Sequence, residues 1–114
     1  MLIWTVGLYI NGEFVASSTE SPIASIDPTT EKEICSVASA SQEDVDRAVI
    51  AGRKAFHSSE WFDMEPEARG ALLNKLADVV EAEADLLVEV ESWDAGKTIA
   101  DAKLDVEGLV SVFR

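Results

Sequence analysis

The sequence predicts an α/β chain with two β-hairpins followed by three to four helices, together an incomplete fold. Three observations predict it. Short β-prone runs separated by turn residues occupy residues 7–38, and apolar residues at helical spacing occupy residues 41–113. The 114 residues are 47% hydrophobic and 27% charged, with only six glycines and three prolines, an ordinary globular balance. Residues 109–113 read Leu-Val-Ser-Val-Phe with no cap, Gly or Pro, so the chain is expected to stop inside a structural element.

The first hairpin rests on Asn11-Gly12 between Leu8-Tyr9-Ile10 and Glu13-Phe14-Val15. Asn-Gly tolerates the positive φ that both central positions of a type I′ turn require. Residues 16–21 are polar and Pro22 breaks the run. The second hairpin pairs residues 23–27 with 33–38, across the turn cluster Asp27-Pro28-Thr29-Thr30-Glu31-Lys32. Ser41 has the spacing of a capping box, with Asp44 at the third helical position, and Val45, Ala48, Val49, Ala55 and Phe56 form the stripe of the first helix. Ser58, Ser59, Trp61 and Phe62 read as a loop. Pro66 suits the first turn of the next helix. Its apolar residues run on from Leu72 through Val80 to Leu87 and Val90, and Gly96 stops it in the left-handed conformation. A last helix begins near Thr98 and carries Ile99, Ala102, Val106, Leu109, Val110 and Phe113. Such helices cover one another's stripes only partly, so loose packing and self-association are expected.

Charge excludes some partners. Twenty-two acidic residues stand against nine basic ones, a net of −13, and residues 60–107 carry 14 acids and four bases. Phosphate backbones and anionic lipid surfaces repel such a chain, so no nucleic acid and no membrane partner is expected. No apolar run approaches the roughly 20 residues of a membrane helix, and residues 1–6 lack the basic and apolar regions of a signal peptide. One cysteine, Cys35, allows no internal disulfide and fits a reducing compartment, the cytoplasm or an organellar interior.

The chemistry-bearing residues form no complete site. Gly96-Lys97-Thr98 matches the end of a phosphate-binding loop, but the first glycine of that motif would fall on Glu91, whose carboxylate repels a phosphate. The glycines never make G-x-G-x-x-G. Cys35 lies among Ile34 and Val37 with no base near it in sequence and reads as a packed strand residue. His57 follows the first helix and suits its C-terminus. The acids of residues 81–91 read as exposed helix faces, and Trp61, Phe62 and Trp93 as core or interface anchors.

Several segments in order carry a resemblance. Tyr9-Ile10-Asn11-Gly12-Glu13-Phe14, the turn from Ile26 through Asp27-Pro28-Thr29-Thr30 to Ile34, the helix from Gln42 to Phe56, Arg69-Gly70-Ala71-Leu72-Leu73, and Glu91-Ser92-Trp93-Asp94-Ala95-Gly96-Lys97 resemble the N-terminal segment of the NAD(P)-dependent aldehyde dehydrogenase superfamily. Asp27 and Ala95 stand where asparagine is common there, and Trp93 where an aliphatic residue is common. The resemblance implies that residues 1–114 are the N-terminal part of an aldehyde dehydrogenase domain, about the first fifth of the family's length. It implies thiolate attack on an aldehyde, hydride transfer to NAD(P)+ and thioester hydrolysis in the complete enzyme. The family's catalytic cysteine, general base and NAD- or NADP-contacting residues lie beyond this segment. No catalytic or cofactor-binding residue is therefore assigned here, and Cys35 does not match the catalytic position. What the resemblance does place here is part of a monovalent cation site, at the carbonyls near Ser25 and Ile26 and the side chain of Asp94. A hard cation wants more oxygens than these. The aldehyde substrate and NAD or NADP are expected only for the complete enzyme, with neither bound tightly by this chain. A standalone acidic interaction or regulatory module is the alternative.

Overall fold

The computed structural model describes residues 4–19 and 21–114. The signal-peptide reading falls partly on residues 1–3, outside the described residues. The elements are β1 (Trp4–Val6), β2 (Leu8–Ile10), β3 (Glu13–Val15), β4 (Ile23–Ile26), β5 (Glu33–Val37), α1 (Gln42–Phe56), α2 (Ser59–Phe62), α3 (Pro66–Ala82), α4 (Ala84–Ala95) and α5 (Ile99–Phe113). By their contacts they fall into two compact units. The first holds Met1–Ile26 and Lys32–Asp63, and the second holds Asp27–Glu31 and Met64–Arg114.

In the first unit both expected hairpins form. β2 pairs antiparallel with β3, Leu8 opposite Val15, around Asn11 and Gly12 at φ 56° and 84°. These are the positive angles that selected Asn-Gly. Tyr9 and Phe14, directly opposite, meet edge to face at 5.0 Å. β4 pairs antiparallel with β5, with an irregularity between Ser25 and Ile26. β5 is also paired on its other side, in parallel, with β1. The sequence reading starts its strand region at residue 7 and contains no β1. Three residues whose partner lies some 30 positions away leave no local periodic signal.

α1 follows Ser41 as expected. The Ser41 hydroxyl accepts from Asp44 N–H at 3.1 Å while the Asp44 carboxylate accepts from Ser41 N–H at 3.0 Å, so two donors that the first turn leaves orphaned are satisfied. Residues 58–62, read as a loop, instead contain the one-turn helix α2. Ser58 starts it by accepting from Trp61 and Phe62 N–H and donating its hydroxyl to Ala55 O at 2.7 Å.

In the second unit the single long helix of the sequence reading is two helices. α3 begins at Pro66 as expected. At Glu83 the backbone turns to φ −102°, ψ 12°, and α4 starts at once. No Gly or Pro marks the break, and the apolar stripe continues in phase across it. Gly96 then ends α4 in the left-handed conformation, φ 67°, and Thr98 caps α5 by accepting from Asp101 N–H at 3.2 Å. α5 packs against both α3 and α4.

Burial is thin. The buried apolar side chains among the described residues are Ala77, Ala102 and Val106, all in the second unit. Leu72, Leu73, Leu76 and Leu87, which mark one helix face in the sequence, remain more than a third exposed. The aromatic anchors stay open as well, Trp61 at 44%, Phe62 at 66% and Trp93 at 42%, which excludes a core role for them within this chain. The chain exposes 8626 Å² in all. Two separate globules of half its mass would expose only about 7,300 Å². Among the described residues no helix is long and apolar enough to cross a membrane.

Candidate functional site

The polar centre of the first unit is Asp44, which is buried. Its Oδ2 accepts from Ser41 N at 3.0 Å, Ser41 Oγ at 3.0 Å, Ser18 Oγ at 2.9 Å and Ser18 N at 3.2 Å, and its Oδ1 accepts from the Arg47 guanidinium at 2.6 Å. The Ser41 amide foremost, then Arg47 and Ser18, hold the carboxyl well below the usual carboxylate range. Around it, the Ser17 hydroxyl donates to Ser39 O, and Thr19 Oγ1 donates to the same carbonyl at 2.9 Å. The hydroxyls of Ser17, Ser18 and Thr19 thus bind the segment after β3 to the entry of α1. Five donors converge on Asp44, four of them on Oδ2. The capping-box half of this cluster is legible in sequence. The Ser18 half is not, because its partner lies 26 residues away.

Between the β2–β3 hairpin and α1 runs an open apolar groove of about 400 Å³, lined by Leu8, Tyr9, Ile10, Val45, Ala48 and Val49. A neighbouring hollow of about 360 Å³ reaches Asn11, Gly12 and the small residues Ala51, Gly52 and Ala55. The groove also reaches Asp44, whose carboxylate five donors already engage, and apart from it and the Tyr9 phenol no titratable side chain lines either hollow. Cys35 sits half-buried on β5, and His57 closes the C-terminus of α1 with its ring edge-on to Phe56 at 5.1 Å. Among the described residues neither side chain is hydrogen-bonded to an acid–base partner.

In the second unit, Gly96-Lys97-Thr98 is a helix-to-helix junction. Gly96 stops α4 and Thr98 caps α5. Between them the Lys97 ammonium donates to Asp105 Oδ2 at 2.6 Å and Glu91 Oε1 at 2.7 Å, and the Lys97 carbonyl accepts from Ser92 Oγ at 2.8 Å. The Asp105 carboxylate, then that of Glu91, raises the ammonium above its ordinary value. A lysine clamped by two carboxylates is not available to a phosphate. The turn of Asp27–Glu31 belongs to this unit too. The Asp27 carboxylate accepts from Thr30 Oγ1 at 2.7 Å and Thr29 N–H at 2.7 Å, which lower its ionisation range. Pro28 packs so closely on Gly96 that a Cβ there would lie 2.5 Å from the Pro28 Cγ.

Of the cation ligands implied by the resemblance, Ile26 ends β4 in the first unit and Asp94 lies in the last turn of α4 in the second. Each unit holds only part of the set. No group of three or more His, Cys, Asp or Glu side chains among the described residues could hold a metal ion.

Two hairpins lead into α1, and a second, helical unit is stopped by Gly96 and restarted by Thr98. A sequence profile of the Aldehyde dehydrogenase family matches residues 14–114, and the chain belongs to that family. An aldehyde dehydrogenase of Alternaria alternata is 48% identical over 95% of this chain and 22% of its own length. The NAD-dependent aldehyde dehydrogenase of Sinorhizobium meliloti has a structure that superposes with a TM-score of 0.92 at 28% identity, over 98% of this chain and 22% of that one. The betaine aldehyde dehydrogenase of Staphylococcus aureus, crystallised in complex with NAD+, gives 0.88 at 33% identity over 92% and 21%. The chain spans about a fifth of the length of the relatives it matches.

Proposed function

We propose that this chain serves the NAD(P)-dependent oxidation of an aldehyde to a carboxylic acid as a packing segment of a longer enzyme, and performs none of that chemistry by itself. The observation that carries this reading is the family match over residues 14–114 set against a span of 22% of a relative's length. The state of the reactive groups supports it. Asp44 is consumed by five donors, Lys97 by two carboxylates, and Cys35 lies within a strand paired on both sides. NAD+ or NADP+ would accept the hydride in the whole enzyme, on residues that this chain does not supply. Ser25, Ile26 and Asp94 supply part of a monovalent cation set, which needs further oxygens from elsewhere in the longer enzyme. A cytoplasmic setting is consistent with the free thiol of Cys35.

The test is a spectrophotometric assay of the purified chain with short aliphatic, aromatic and betaine aldehydes, and with NAD+ or NADP+. The expected result is no nucleotide reduction above that of a Cys35→Ser control. Turnover above the control would overturn the proposal.

A further inference from the structure

The chain has two asparagines, Asn11 and Asn74, and both are exposed. Asparagine is thermally labile. Its carboxamide is lost when the backbone nitrogen of the next residue, stripped of its proton, attacks the side-chain Cγ and closes a five-membered imide. The two sites differ in that attacking nitrogen. After Asn74 comes Lys75, in the middle of α3, where the helix ladder holds the N–H and a side chain crowds the approach. The Asn74 carboxamide is itself tied to Gly70 O at 2.9 Å. After Asn11 comes Gly12. The β2–β3 ladder closes at Ile10 opposite Glu13, which leaves the Gly12 N–H outside it. Nothing lies within 4 Å of the place where a Cβ would stand on Gly12, so neither a side chain of its own nor a neighbour shields the nitrogen. Ring closure requires the turn to rotate about its own backbone. That rotation is resisted by a hairpin of two three-residue strands, a unit that is only marginally stable by itself and opens locally at small cost.

We propose that Asn11 is a site of spontaneous modification, converting through an imide to aspartate and isoaspartate while the rest of the chain stays folded. The Gly12 nitrogen bonds to Asn11 Cγ, and the carboxamide nitrogen leaves as ammonia with the proton that Gly12 gives up. Water then opens the imide. Breaking the new bond between Gly12 N and Cγ gives aspartate on an unchanged backbone. Breaking the bond between Gly12 N and the main-chain carbonyl carbon of Asn11 gives isoaspartate, whose backbone runs through Cβ and Cγ. Nothing is oxidised or reduced. Either product puts a carboxylate beside Glu13 in a chain already at −13. Isoaspartate also lengthens the two-residue turn by a methylene, which type I′ geometry does not accommodate, so the hairpin loses the register that sets Tyr9 against Phe14. The reaction proceeds whether or not the chain serves aldehyde oxidation.

Timed incubation of the purified chain at mildly alkaline pH and body temperature tests this. Cleavage after glutamate puts Asn11 and Asn74 in separate peptides. Mass spectrometry follows the replacement of NH₂ by OH, and methylation by an isoaspartyl carboxyl methyltransferase with S-adenosylmethionine counts the isoaspartate. A synthetic peptide of residues 8–15 sets the unfolded rate. In the folded chain Asn11 should convert within about tenfold of that peptide's rate, and at least about tenfold faster than Asn74, which only local unfolding of α3 exposes. Urea should accelerate Asn74 by a larger factor than Asn11. The rate at Asn11 should fall as the pH is lowered, because the attack needs the amide proton removed. Asn11→Gln, which would have to close a six-membered ring, is the blank and should abolish the conversion in its peptide. Conversion at Asn11 about a hundredfold slower than in the peptide would overturn the proposal, since the turn would then protect the site. So would equal rates at Asn11 and Asn74, or a signal that persists in Asn11→Gln.

Discussion

Replacing Gly96 by alanine should damage the second unit for two separable reasons. The first is conformational. At φ 67° an L-residue carries a penalty of about 1–2 kcal/mol relative to glycine. The second is steric. The new Cβ would lie 2.5 Å from the Pro28 Cγ, a distance that requires either the turn or α4 to shift. Overpacking of this kind costs about 1–3 kcal/mol. Gly96→Ala is therefore expected to cost roughly 2–5 kcal/mol, a large share of the 5–15 kcal/mol that stabilises a whole domain. Two further substitutions calibrate the terms. Gly12 is also at positive φ, 84°, with nothing within 4 Å of an added Cβ, so Gly12→Ala should show the conformational part alone. Pro28→Ala in the Gly96→Ala background removes the Cγ and leaves the Cβ at an ordinary 3.5 Å. It should recover the steric part and leave the other. Urea unfolding followed by far-UV circular dichroism reads these chains, with Pro28→Ala alone to complete the cycle, and a loss of 3 kcal/mol moves the midpoint by about 1–3 M. The reasoning fails if Gly96→Ala costs no more than Gly12→Ala, or if the double-mutant cycle shows no coupling between positions 28 and 96.

Asp44→Asn leaves either the Arg47 guanidinium or the serine donors facing an NH₂ group, and should free residues 17–19 and shorten α1 at its start, measured by amide exchange in that segment. Because the folded Asp44 ionises below its ordinary value of 3.8, the unfolded chain binds the extra proton first as pH falls. The contribution is thus complete above that value and declines below it, so the stability gap between the native chain and Asp44→Asn should narrow on acidification. A gap that widens would contradict the sign. Thr98→Ala removes the side-chain acceptor for Asp101 N–H and should cost about 1 kcal/mol, read by the same urea titration, with Thr98→Ser close to native.

Much of this architecture was legible because its determinants are local. Asn11-Gly12 needs only its own φ angles, Ser41 and Asp44 lie one turn apart, and Pro66, Gly96 and Thr98 punctuate helices by their own backbone chemistry. The misses share a cause. β1 is defined by a partner 31 residues away, opposite Cys35. The break at Glu83 preserves the helical phase of Val79 and Val80 into Leu86 and Leu87, so periodicity runs through it unaltered. The one turn of α2 is too short to show a period. Of the polar cluster only the capping-box half, Ser41 and Asp44, was legible, because Ser18 lies 26 residues away. Motif spacing dismissed the phosphate loop at Gly96-Lys97-Thr98, but only coordinates reveal that Glu91 and Asp105 already hold its lysine. Of the two roles expected for Trp61 and Trp93, core or interface anchor, their exposure removes the first, because composition says that a large ring needs cover without saying what provides it.

The contact of Pro28 with Gly96 has a bearing on how the protein is made. The turn of Asp27–Glu31 lies between two strands of the first unit, yet takes its place in the second. On the ribosome the β4–β5 hairpin emerges early, while the helix end that receives its tip follows about 70 residues later, roughly 4–14 s at ordinary rates of synthesis. Through that interval Pro28 has no partner, and the second unit cannot be completed by any stretch of chain that excludes residues 27–31. Cutting the polypeptide near residue 63 would therefore not yield two self-sufficient halves. It would yield one half with an orphaned turn and another with an unfilled notch.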